Sequence, residues 1–99
     1  MIQDTIMYEI ENILKNHKEI LASRFHLKDM GVFGSFARGE ETPASDVDIL
    51  VEFSEPVGWE FVELKEYLEE ILGRTVDLVT KNALKKQLRD EILEEVRMV

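Results

Sequence analysis

The run Asp46-Val47-Asp48-Ile49-Leu50-Val51-Glu52-Phe53 constrains this chain more than any other feature. Successive side chains of a strand point to opposite faces. Val47, Ile49, Val51 and Phe53 therefore share one face, which must be core. Asp46, Asp48, Leu50 and Glu52 share the other, which carries two carboxylates side by side at the strand's start. Aspartate is depleted in strands and rarely buried unpaired. RTVDLVT, residues 74–80, repeats the pattern, with Asp77 opposed to Val76 and Leu78. If the two strands are neighbours, three carboxylates converge. An oxygen-only cluster suits Mg²⁺ or Mn²⁺, which also accept substrate phosphates. Without a cation the three groups repel, and one or more takes up a proton.

Hydrophobic spacing organises the rest. Ile6, Ile10, Ile13, Leu14 and Leu21 predict a helix over 3–23, with Asp4 or Thr5 as its cap. The short run 30–34, MGVFG, predicts a strand. Gly34-Ser35 opens a turn, 36–38 form a helical turn, and 39–45 are loop. Phe61, Leu64, Leu68 and Ile71 predict a helix over 58–72, stopped by Gly73. Leu84, Leu88, Ile92 and Val96 predict a last helix over 82–96. The first two strands are joined by a loop too short for a helical crossover, so a mixed, mostly antiparallel pairing is expected there. The second and third are joined through a helix, which fits a parallel βαβ unit. The expected fold is α+β, an α/β two-layer arrangement: a small mixed sheet of three or more strands with helices on one face.

Ninety-nine residues, 44% of them hydrophobic, are enough for one domain over 1–99 that buries roughly two-thirds of its surface. Twenty-one acidic residues against 12 basic ones give a net charge of −9, which argues against autonomous binding of nucleic acid through its phosphates. With no cysteine, disulfides and thiolate chemistry are excluded. The N-terminal run lacks signal-peptide character, and no apolar stretch is long enough to span a membrane, so the expected setting is the cytoplasm.

Gly34-Ser35 follows the first strand, where glycine permits close backbone approach and the serine hydroxyl can donate. It is not a P-loop, since no Gly-Lys-Ser/Thr follows, and the glycines at 31, 34 and 39 do not fit a dinucleotide fingerprint. Gly34-Ser35, ten further residues, Asp46-x-Asp48 and a later Asp77 in a strand make the string GSFARGEETPASDVDILVEF resemble the signature of the polymerase-β-like nucleotidyltransferase superfamily. The small size, Arg38-Gly39 and RTVDLVT are similar to its minimal (MNT) members, the antitoxins of HEPN/MNT toxin–antitoxin pairs. The resemblance covers about residues 5–96 and implies the nucleotidyltransferase palm fold.

On that resemblance Asp46 and Asp48 would bridge two divalent metals and Asp77 would complete the site of the nucleophile-activating ion. Gly34 and Ser35 would hold the β- and γ-phosphates of ATP. The implied reaction is transfer of AMP, with release of pyrophosphate, onto a tyrosine of a HEPN ribonuclease toxin. Arg38 is either a triphosphate contact or the partner of Glu40 or Asp46 in an ion pair. Two alternatives stand beside this reading: an antitoxin acting by contact alone, and a transferase to a small-molecule acceptor.

Other features are read as structural. Lys81, Lys85, Lys86 and Arg89 are expected to be a solvated helix face, although they could meet phosphate or an acidic partner. His17 and His26 have no ligand spacing. Tyr8, Tyr67 and Trp59 are expected to pack.

Overall fold

The structure is a computed structural model that describes residues 2–99, with side chains from residue 5 onward. The chain runs α1 (Ile2–Asn16), α2 (Lys18–Phe25), β1 (Leu27–Phe33), α3 (Ser35–Arg38), β2 (Val47–Phe53), α4 (Glu60–Leu72), β3 (Val76–Thr80), a 3₁₀ turn (Lys81–Ala83), α5 (Lys86–Glu95) and β4 (Arg97–Met98). The strands form one mixed sheet in the order β3-β2-β1-β4, with β1 antiparallel to β2 and β4 and β2 parallel to β3. This is the mixed α+β architecture expected.

The core forms where the alternation of β2 meets the helices. Val47, Ile49 and Val51 are buried against Val32, Val76, Leu64, Leu68, Leu14, Leu21 and Phe25. Met7, Ile10 and Leu14 supply the inward stripe of α1. The opposite face of β2 is not bare, because Leu50 is buried too and borders a small cavity with Leu93 and Met98.

Several boundaries differ from expectation. The first helix is two. The chain turns at His17, whose Nδ1 lies 2.8 Å from the Ile13 carbonyl, and restarts as α2. Helix α1 begins at Ile2, so Asp4 and Thr5 lie in its first turn rather than capping it; the side chain of Asp4 is outside the described residues. Strand β1 begins at Leu27, three residues early, because Leu27 and Asp29 find partners in Phe53 and Glu52 across an irregular register. β3 begins at Val76 and α5 at Lys86, each shorter than the apolar spacing suggests.

Two aromatic side chains expected to pack, Tyr8 and Trp59, are exposed, as is Leu88 from the apolar spacing of the last helix. Trp59 precedes the first turn of α4, before its stripe engages the core. Leu88 sits on α5, which buries none of its residues fully. Tyr67 does pack, with ring centroids 5.3 Å from Phe25 and 5.9 Å from His17.

The fourth strand depends on a glycine. A Cβ at Gly31 would lie 2.6 Å from Val96 Cγ2 and 2.8 Å from Met98 Sδ, so glycine lets β4 close on β1 without displacing those side chains. Arg97 adds an ion pair to Glu11 of α1 at 2.6 Å, and the Val99 amide donates to the Met30 carbonyl. Among the described residues, no helix is long and apolar enough to cross a membrane.

Core and exposed positions should respond differently to truncation. Leu64→Ala, at a fully buried site, should cost about 2–5 kcal/mol in urea unfolding. Leu88→Ala should change stability by less than about 0.5 kcal/mol.

Candidate active site

The topology brings three chain segments to one end of the sheet. Antiparallel pairing sets the end of β1 beside the start of β2, with Phe33 opposite Asp48. Parallel pairing sets the start of β3 beside the start of β2, with Asp77 in direct register with Asp48. Two contacts fix that register from outside the ladder: the Val47 amide donates to the Thr75 carbonyl, and the Val76 amide donates to Glu69 Oε2 of α4, both at 2.9 Å. Asp46 precedes β2 and is exposed, Asp48 is half-buried, and Asp77 is exposed on the edge strand.

Gly34 closes β1 with φ +76°, a conformation that side chains rarely adopt. A Cβ there would overlap the Asp48 carboxylate. The glycine therefore serves two purposes at once: it makes the turn into α3 and leaves room for Asp48. Ser35 is the first residue of α3, and Arg38 the last.

Asp48 carries the electrostatic strain of the site. Burial, then the charges of Asp77 and Asp46 and a hydrogen bond with Asp77, push its carboxyl up from an ordinary 3.8 to about 6, against a smaller opposing effect of Arg38. Asp48 is crowded by like charge, as expected when carboxylates share a site without a cation. Among the described residues no three acidic or histidine side chains are gathered into a ready ligand cage. The donors nonetheless fit Mg²⁺ or Mn²⁺: they are hard oxygens, one pair is already adjacent, and Mg²⁺ is commonly held by one or two carboxylates plus water and substrate phosphate.

Arg38 is doubly engaged. Its Nε donates to Glu40 Oε1 at 2.6 Å and its Nη1 to Glu95 Oε1 at 2.9 Å. The pairing with Glu40 was one of the alternatives open in the sequence, and Glu95 was not foreseen. The other Glu95 oxygen, Oε2, accepts from the Gly34 amide at 2.9 Å. Partial burial pushes the Glu95 carboxyl up, but the hydrogen bonds from Arg38 and Gly34 outweigh it and hold the group below its usual range. Glu95 lies 61 residues from Gly34 in a run of acids that reads as a solvated face, so no local pattern marks it.

Arg74 is the second unforeseen residue. Its guanidinium stacks 5.3 Å from the centroid of the buried Phe36 ring. With Ser45, Asp46, Glu69 and Thr75 it lines an open cleft of about 580 Å³ beside the carboxylates. Another opening, of about 480 Å³, lies at the far end of β2 around Phe53, Pro56 and Lys81, away from this chemistry. Lys85, Lys86 and Arg89 are exposed, matching a solvated face.

Paired carboxylates thus stand beside a glycine-serine turn at one end of a mixed sheet. The chain matches the nucleotidyltransferase domain model over residues 14–99, and it belongs to that family. It is 53% identical over 89 residues to the protein adenylyltransferase MntA of Thermococcus cleftensis, covering 89% of this chain and 90% of that protein. A solved structure assigned to a minimal nucleotidyltransferase superposes with a TM-score of 0.74 at 35% identity, covering 96% of this chain and 93% of that one. The fold is also shared with a chain from the complex of a tri-AMPylated Shewanella oneidensis HEPN toxin with MNT antitoxin, at a TM-score of 0.58 and 21% identity, covering 97% and 70%. The chain is thus an enzyme of the nucleotidyltransferase class.

The crowding of Asp48 predicts a pH dependence. Folding raises its affinity for a proton, so the stability tied to that proton is fully present below about pH 4 and is lost as pH rises through about 6. In chelator-treated protein, Asp48→Asn should therefore raise the melting temperature at pH 7.5 and leave it nearly unchanged at pH 4. Adding Mg²⁺ at pH 7.5 should stabilise the wild type more than the variant.

Proposed function

We propose that the protein transfers AMP from ATP to a hydroxyl of a protein acceptor, a tyrosine of a HEPN-family toxin, and so acts as the antitoxin of a toxin–antitoxin pair. The observation that carries this reading is the register of Asp48 against Asp77, with Gly34 and Ser35 at the same end of the sheet. The relative named as a protein adenylyltransferase supports the acceptor class. The fold shared with the complex of an AMPylated HEPN toxin and its MNT antitoxin is consistent with that partner.

In this reading Asp46, Asp48 and Asp77 would hold two divalent ions, which would supply charge neutralisation at the triphosphate and a lowered pKa for the attacking hydroxyl. Gly34 and Ser35 seat the β- and γ-phosphates, and Arg38, at the far end of α3, reaches the same phosphates. The α-phosphorus then faces the Asp48–Asp77 pair. The acceptor oxygen bonds to the α-phosphorus, the bond to the β-phosphate bridging oxygen breaks, and pyrophosphate leaves with its electron pair. The hydroxyl proton passes to a carboxylate, and Asp77, exposed on the edge strand, is the candidate base. The cleft beside Asp46 is open, which leaves an acceptor segment room to approach.

The test uses ATP labelled at the α-phosphate, Mg²⁺ and the cognate HEPN protein. The label should appear on a partner tyrosine, and a chelator should abolish it. Asp48→Asn and Asp77→Asn should each lower the rate by at least about a hundredfold, the scale of losing one preorganised electrostatic contact. No label on the partner, together with toxin neutralisation that survives Asp48→Asn, would leave antitoxin action by contact. A labelled small molecule in place of labelled protein would identify a different acceptor.

A further inference from the structure

We infer that Glu95 is a built-in competitor for the phosphate donors of the nucleotide site and sets its affinity. Its carboxylate holds the Gly34 amide and the Arg38 guanidinium, the donors that nucleotide phosphates would take, so a ligand gains them only by displacing it. The inference rests on the nucleotide reading proposed above.

The geometry is that of one anion bound by two donors. Glu95 Oε2 accepts from the Gly34 amide and Oε1 from Arg38 Nη1, each at 2.9 Å. The two donors lie at opposite ends of α3. A carboxylate and a phosphate present similar oxygen pairs to a guanidinium. Like charge prevents both from holding these donors together.

Glu95 is also built to yield. It is the last residue of α5, none of whose residues is fully buried. The segment behind it is anchored independently: Arg97 and Met98 pair with Val32 and Gly31, and Arg97 bridges to Glu11. The Glu95 side chain can therefore swing away while β4 stays on the sheet. Arg38 keeps Glu40 as a partner on Nε, so its guanidinium remains oriented.

An affinity cost follows from the competition. Inorganic phosphate offers one charged group, whose gain is offset by the loss of Glu95. A polyphosphate carrying divalent ions also gains contacts at the aspartates and Ser35. Glu95 thus lowers the affinity of every ligand that takes these donors, and a metal-bearing polyphosphate has the further contacts that offset it.

The experiment titrates the full chain with Mg²⁺-tripolyphosphate, Mg²⁺-ATP and AMP, reading affinity by calorimetry and the Gly34 amide by NMR. It compares wild type, Glu95→Gln, Glu95→Ala and, as a charge control, the exposed Glu94→Gln. Both Glu95 variants should bind tripolyphosphate and ATP about tenfold tighter, the scale of removing one charge-assisted competitor at a part-exposed site. AMP, whose single phosphate is the α, should change little, and the KM for ATP should fall. Glu94→Gln should shift affinity less than about twofold.

Weaker binding by both Glu95 variants would make the residue a strut for Arg38 and overturn the inference. Unchanged binding would show that the phosphates do not use these donors, and failure of both variants to fold would assign Glu95 to structure; either result also overturns it. If wild type transfers no AMP but the Glu95 variants bind tripolyphosphate more tightly, the proposed reaction fails and this inference stands. If transfer proceeds without tighter binding, the reverse holds.

Discussion

The position of the Asp48 carboxylate is the constraint on which the rest depends. It lies in direct register with Asp77, close to Asp46, and over the one backbone position where a Cβ would collide with it. Left to itself such a group would move into solvent or keep its proton. It stays because the residues on either side of it, Val47 and Ile49, are wholly buried, so β2 cannot shift without exposing the core. A well-packed interior thus maintains an unfavourable electrostatic arrangement at its margin, the usual trade of stability for a working site.

The C-terminal segment plays a different part. Helix α5 and β4 contribute little to the core, yet they close one edge of the sheet and deliver Glu95 to the Gly34–Arg38 turn. Their attachment is in large part polar and backbone-based, through the β1–β4 ladder, the Arg97–Glu11 pair and the Val99–Met30 hydrogen bond, with Val99 also packed against the core. An element held this way can adjust more cheaply than one held by buried apolar area. The site is therefore rigid on the carboxylate side, where β2 and β3 set it, and adjustable on the side of the Gly34–Arg38 turn. An exposed edge and an open cleft beside Asp46 suit an enzyme whose acceptor is another macromolecule.

Much of the fold was legible in the sequence because it follows from short-range rules. The two-residue alternation of 46–53 specified a strand and its buried face. Gly39 and Gly73 end helices in the left-handed conformation that glycine favours. The long helix between β2 and β3 fits a parallel crossover, while the short loop before β2 favours antiparallel pairing. Where the reading slipped, tertiary pairing overrode local character. Leu27, Lys28 and Asp29 do not look like a strand, but β2 offers them a ladder. Trp59 and Leu88 look like core, but no element lies over them. Ile13 and Leu21 look like one helical stripe, but the chain breaks at His17 between them.

The sequence by itself determined which chemistry was available: three carboxylates in two strands, a glycine-serine turn, and an arginine four residues after the glycine. It also set the charge that argues against a nucleic-acid binder. Only the tertiary structure decided that Asp48 and Asp77 stand in the same register, because strand order is set by how the helices cover the core and not by any residue within the strands. Only the tertiary structure, likewise, brought Glu95 across 61 residues to the Gly34 amide. That contact joins the end of one helix to the start of another, and neither local periodicity nor motif spacing carries information over such a distance.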